Sequence, residues 1–175
     1  MRSGSLRTSA VLMLLFPVDG EDHIIFTRRT EGVKTHKGQI SLPGGQWEPS
    51  DGSLLETALR ETEEELGIPR ADIQVIGRLP DVFTVVSNFI ITPFVGRLKG
   101  RPSYRTDPVE VAAVIEVPES RLREPEIYWT EQREGPEGSR EIHFFKYGET
   151  IIWGATAKIL REFLDNGFTA LPLDQ

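Results

Sequence analysis

The chain reads as a single α/β domain in which a mixed sheet is covered by helices on its two faces. Three observations point there. Apolar, strand-like runs recur along the chain, and the first two lie close enough to pair. Two amphipathic helical patterns, at 53–66 and 153–164, punctuate the series. No repeat, low-complexity tract or linker divides the 175 residues, a length that suits one domain.

Each element has its own signal. Residues 1–8 are mostly polar and are expected to fray. Runs 10–16 and 23–28 flank Val18-Asp19-Gly20-Glu21-Asp22, a turn composition, so an antiparallel pair is expected. Residues 31–37 read as a polar loop, and 39–42 as a short strand entering a turn at Gly44-Gly45. The helix at 53–66 is the best marked. Ser53 and Glu56 form a capping-box pattern, and Leu55, Ala58, Leu59, Thr62 and Leu66 share one stripe. Gly67 closes this helix and Pro69 prevents its resumption. Strands are expected at 73–79, at 89–98 (with Pro93 implying an edge or a bulge) and at 109–117. A helical turn follows at 119–123. Segments 127–130 and 142–147 pair across a loop containing Gly135-Pro136-Glu137-Gly138. The last helix opens at Trp153-Gly154 and ends before Asn166-Gly167.

Composition removes several classes of function. A net charge of -7 disfavours nonspecific binding to nucleic acid or anionic membrane. The absence of cysteine excludes disulfides, a cysteine nucleophile and a thiolate zinc site, and it fits a cytoplasmic protein. Residues 9–16 are apolar but too short to span a bilayer. Arg2 and Arg7 precede that run, yet no small-residue cleavage site follows, so a buried strand is preferred to a signal peptide. Three histidines without paired spacing make a histidine metal site unattractive.

The 53–66 helix carries the chemistry. With its apolar stripe turned to the core, Glu61, Glu64 and Glu65 fall within roughly a 100° arc on the far side. Glu56 and Glu63 lie on another flank. Three neighbouring like charges destabilise a helix unless something offsets them. A divalent cation such as Mg²⁺ would, and it suits carboxylate oxygens with a phosphate. The plainer reading is a solvated acidic face. Against it stand Gly44 and Gly45, which let backbone approach a phosphate or metal closely. Arg60, four residues before Glu64, can orient that carboxylate.

Gly45 followed by Arg60-Glu61-Thr62-Glu63-Glu64-Glu65-Leu66-Gly67-Ile68 resembles the Nudix box. Thr62 replaces the usual aliphatic residue, the run from Gly45 to Arg60 is one residue longer, and Asp51 stands near the upstream glutamate. Asp51 is assigned no ligand role. The resemblance implies an α/β/α sandwich and Mg²⁺- or Mn²⁺-dependent hydrolysis of a diphosphate linked to another moiety. It makes Glu61, Glu64 and Glu65 the metal carriers. The general base would be Glu61 or a later glutamate, with Glu110 the candidate and Glu116 and Glu141 weaker alternatives.

The segment before the glycines narrows the resemblance. Between Thr27 and Lys37 there are five formal positives counting His36, in an acidic protein, which suggests an anionic ligand. Thr27, Arg29, Gly38 and Pro43-Gly44-Gly45 are similar, in register, to the signature of the coenzyme A diphosphatase branch of Nudix hydrolases. Thr30, Lys34 and Leu42 depart from it, and Lys34 keeps the charge but loses bidentate geometry. Thr92-Pro93-Phe94-Val95 and Ile152-Trp153-Gly154-Ala155-Thr156 look like the same branch. The resemblance implies hydrolysis of coenzyme A (CoA) or its thioesters to 3′,5′-ADP and 4′-phosphopantetheine. Arg29, Lys34, His36, Lys37, Gly44 and Gly45 would contact the substrate. A Nudix hydrolase of another nucleoside diphosphate derivative, such as ADP-ribose, is the alternative, and a Nudix-like binding domain without catalysis is a third. Phe83, Phe89, Phe94, Trp153 and Phe163 are expected in the core. Trp129 and the loop at 131–140 could form a lid or a dimer contact, and a homodimer stays open.

Overall fold

The computed structural model describes residues 5–32 and 38–171. Strand β1 (Arg7–Val18) is its axis. The chain turns at Asp19-Gly20 and returns as β2 (Glu21–Arg29), antiparallel to β1 as expected. On its other side β1 pairs in parallel with β7 (Phe89–Arg97), and this parallel pair makes the sheet mixed. Alternation along β1 builds two cores. Leu12, Leu14 and Phe16 face helix α1 (Leu54–Leu66), while Met13 and Leu15 face helix α3 (Ala155–Asn166). The expected helix–sheet–helix layering is therefore present.

Strands β1 and β2 pair only near their turn, between residues 15–18 and 21–24, and then splay apart. The wedge between them is filled by β3 (Ile40–Ser41) on β2 and β4 (Gly44–Gln46) on β1. Leu12 N–H donates to Pro43 C=O at 2.8 Å at the apex. The expected turn at Gly44-Gly45 thus moves to Leu42-Pro43, and the glycines lie in a strand. Gly44 is needed there for close approach, since a Cβ would sit 2.3 Å from the Ala10 carbonyl oxygen.

The remaining main-sheet strands are β5 (Gln74–Arg78) and β6 (Val82–Thr84) on β7, β8 (Val111–Pro118) on β2, and β12 (Thr169–Ala170) on β5. A short helix α2 (Glu119–Leu122) follows β8. Pro93 lies on neither an edge nor a bulge. Strands β5 and β6 leave positions 92 and 93 of β7 opposite the segment joining them, so the missing N–H interrupts no ladder. Its carbonyl accepts from Leu79 N–H at 2.9 Å.

The expected pairing of 127–130 with 142–147 is present, and it belongs to a separate three-stranded sheet that the sequence pattern does not announce. β9 (Tyr128–Gly135), β10 (Gly138–Tyr147) and β11 (Thr150–Trp153) run antiparallel, with β10 in the middle. The supposed loop at 131–140 is this hairpin, continuously paired up to a turn at Pro136-Glu137. Trp153 belongs to β11, not to the last helix, because Gly154 at φ +71° breaks the strand before α3. Phe94 and Phe163 are buried as expected, but Phe83 is 53% exposed and Trp153 lies on an outward face.

Candidate active site

Helix α1 is fixed at both ends. Ser53 Oγ accepts from Glu56 N–H at 3.2 Å, and Gly67, at φ +68°, closes the last turn on the Glu63 carbonyl. The buried face comprises Thr57, Ala58, Leu59, Thr62, Glu65 and Leu66. Glu65 is only 5% exposed, which corrects the expected far-side arc. Strand β4 lies over that flank and covers it. Gly44 N–H donates to Glu65 Oε2 at 3.3 Å, and a Cβ on Gly45 would lie 2.5 Å from the Glu61 carboxyl carbon. Two successive glycines let the backbone sit directly against two carboxylates.

A third carboxylate arrives from elsewhere in the chain. Glu110 ends a turn before β8, anchored where Thr30 N–H donates to its carbonyl at 3.1 Å and Thr30 Oγ donates to Val109 C=O at 2.6 Å. Carboxylate oxygens of Glu61, Glu65 and Glu110 all lie within 4.8 Å of one another. Glu64 lies outside this group, with its side chain 58% exposed. It is tied in through Arg60, whose Nη1 reaches both Glu61 Oε1 at 3.0 Å and Glu64 Oε2 at 3.3 Å.

Arg60 is itself held by Asp51. Nε donates to Oδ1 at 2.7 Å and Nη2 to Oδ2 at 2.9 Å, a bidentate pair. Asp51 is buried and also accepts from Thr57 Oγ at 2.8 Å and Glu48 N–H at 3.0 Å. The sequence reading left this carboxylate without a role. Its spacing of six residues from Thr57 and nine from Arg60 was the available signal. Glu56 and Glu63 pair with Arg70, away from the site. Glu116 is occupied by Tyr104 Oη at 2.7 Å and by Arg101, and Glu141 lies on β10 beside Gln132. Lys34, His36 and Lys37 fall outside the described residues.

Burial pushes Glu65 up to about 8, with the neighbouring Glu61 and Glu110 adding to the shift and Gly44 N–H and Arg29 opposing it. Burial likewise raises Glu61 to about 7, against the pull of Arg60 and with Glu64 and Glu110 reinforcing the rise. The Arg60 hydrogen bonds hold Asp51 well below the usual carboxylate range, and Asp51 in turn raises Arg60. Three converging carboxylates, two of them strained toward protonation, fit a hard divalent cation that would let them ionise together. Among the described residues this is the one group of acidic or histidine side chains with metal-ligand proximity.

A mixed sheet between helices, with a glycine strand pressed against a carboxylate helix, defines a hydrolase whose acidic site suits a divalent metal. The chain belongs to the Nudix hydrolase family, as the NUDIX domain model matches residues 6–136. A curated relative, the uncharacterized Nudix hydrolase NudL of Yersinia enterocolitica, is 37% identical over 142 residues, covering 81% of this chain and 72% of its own. Among solved structures, a MutT/nudix family protein from Enterococcus faecalis superposes with TM-score 0.64 at 16% identity, over 93% of this chain and 62% of that one. The NUDIX domain of Shewanella oneidensis NrtR, solved with ADP-ribose, gives TM-score 0.52 at 16% identity over 68% and 77% of the two chains. These last two are likenesses of fold.

Proposed function

We propose that this chain hydrolyses the diphosphate bond of CoA or its thioesters, giving 3′,5′-ADP and 4′-phosphopantetheine or its acyl derivative. The convergence of Glu61, Glu65 and Glu110 against the Gly44-Gly45 backbone carries the reaction type. Mg²⁺ or Mn²⁺ would be held by Glu61 and Glu65, with Glu64 of the expected trio reaching it from the exposed flank of the cluster, where the ion would neutralise phosphate charge and acidify water. Arg60 keeps Glu61 and Glu64 oriented, and Asp51 keeps Arg60 in place. Arg29, whose charge reaches Glu65, binds the phosphate beside the scissile bond. Glu110 takes the proton of the attacking water at a carboxylate oxygen. It suits this role because, unlike Glu61, it is not engaged by Arg60.

The substrate rests on the Thr27, Arg29, Gly38 and Pro43-Gly44-Gly45 signature. A cytoplasmic setting and a small-molecule partner go with this reading. No helix among the described residues is long and apolar enough to cross a membrane. The test is an assay of CoA, acetyl-CoA, ADP-ribose and NADH with Mg²⁺ and with Mn²⁺. CoA species are expected to be turned over best. Good turnover of ADP-ribose beside negligible turnover of every CoA species would overturn the substrate assignment, and no turnover of any would overturn catalysis.

A further inference from the structure

The segment 98–110, between β7 and β8, contains no helix or strand, yet it delivers Glu110 to the acid cluster. Conformational entropy opposes a fixed position for such a segment, so its backbone must be pinned. The pins concentrate at the end of α1. Arg105 N–H donates to Leu66 C=O at 2.8 Å, and Asp107 N–H donates to Glu65 C=O at 3.0 Å. These are carbonyls that the last turn of a helix leaves without partners. Gly67 makes room for them, since a Cβ there would lie 2.6 Å from Arg105 Cβ and from its carbonyl oxygen. Glu65 therefore meets the site twice. Its carboxylate joins the cluster, and its main-chain carbonyl seats Asp107.

Asp107 passes that anchorage on to Glu110. Its Oδ1 accepts from Val109 N–H at 2.9 Å. Its main-chain carbonyl accepts from Glu110 N–H at 3.2 Å and from Val111 N–H at 2.8 Å. Pro108 fixes the intervening φ. On the far side, Thr30 holds the Val109 and Glu110 carbonyls. The turn is thus gripped by α1 from one side and by the end of β2 from the other. Among the described residues the Asp107 carboxylate makes no ion pair, so its task is to accept a hydrogen bond rather than to supply charge.

We infer that Asp107 is the positioning residue for Glu110, its side chain closing the turn that keeps the Glu110 carboxylate beside Glu61 and Glu65. The inference rests on the reading of Glu110 as the proton acceptor, not on which diphosphate is the substrate. Asp107→Ala and Asp107→Asn, each alone and combined with Glu110→Gln, test it on whichever of the diphosphates above is turned over. A reacting group misplaced by roughly 1 Å can cost about 100-fold in rate, so Asp107→Ala should lower kcat about 10- to 100-fold with little change in KM. Asp107→Asn should retain most of kcat, because its amide oxygen still accepts from Val109 N–H. In the Glu110→Gln background Asp107→Ala should cost nothing further, since the two act through one group. Amide hydrogen exchange followed by NMR should quicken at Val109, Glu110 and Val111 in Asp107→Ala but not in Asp107→Asn, with α1 protected as in wild type. An equal kcat loss in both backgrounds, an Asp107→Asn enzyme as slow as Asp107→Ala, or unaltered exchange in Asp107→Ala overturns the assignment. A slow Glu110→Gln enzyme beside a fast Asp107→Ala enzyme overturns the positioning role alone. A Glu110→Gln enzyme as fast as wild type overturns the proton-acceptor reading and the positioning role with it. Should no diphosphate be turned over, the exchange pattern alone upholds or overturns the role of Asp107.

Discussion

Glu65→Gln should make the metal-free protein more stable while destroying its metal response. Glu65 is 5% exposed and raised from 4.5 to about 8. A carboxyl raised on folding adds no penalty below its unfolded value, and the penalty grows with pH until the folded value is passed. Each pH unit in that window costs about 1.4 kcal/mol. At pH 7 the window from 4.5 is mostly crossed, so Glu65 costs the metal-free fold about 3 kcal/mol. Glutamine keeps the shape and can still accept from Gly44 N–H. Thermal denaturation in a chelator at pH 7 should place the variant roughly 6–12 °C above wild type, with the gap closing near pH 4.5. Added Mg²⁺ should raise the wild-type Tm and leave the variant nearly unmoved. Turnover should fall by ~100-fold or more. A variant less stable than wild type in chelator at pH 7, or one as responsive to Mg²⁺ as wild type, would refute the reasoning.

Three further outcomes follow from the same geometry. Gly45→Ala should abolish turnover with little loss of stability, because the atoms nearest the new methyl are those of the Glu61 carboxylate, the movable end of a side chain. Gly44→Ala should destabilise the fold itself, because its methyl meets the Ala10 carbonyl, so paired melting and activity measurements separate them. Asp51→Ala should lower both Tm and kcat by freeing Arg60. Since Asp51 is held below its unfolded value of 3.8, the stability gap should be full above that pH and shrink as pH falls below it. Glu110→Gln should lower kcat by 10²–10⁴-fold with the fold intact. An unchanged kcat would pass the base role to Glu61.

What the sequence reveals depends on how local the physics is. Ser53, Gly67 and the 3.6-residue stripe announce helix α1, because caps and amphipathicity are settled within one turn. The hairpin of β1 and β2 was equally plain. The wedge was not. Gly44-Gly45 reads as a turn by composition, and only the splay of two distant strands makes it a strand. The same non-locality hid the burial of Glu65, since a helical wheel knows one core direction and β4 supplies a second cover. The pairing of 127–130 with 142–147 is legible, whereas its extension through 131–140 and onto β11 is not, because hairpin register rather than composition makes β9 to β11 a sheet. Asp51 went without a role because its partner lies nine residues on, around a helix start.

The carboxylate helix and its glycine strand lie within the span shared with the family, whereas Phe144, Glu149 and Trp153 lie beyond residue 136. The acid cluster and the trailing three-stranded sheet therefore come from separate stretches of chain. Strand β8 carries one extra residue, Ala112, opposite the junction of Arg28 and Arg29, so losing it would slip the register of everything that follows and turn those side chains to the other face.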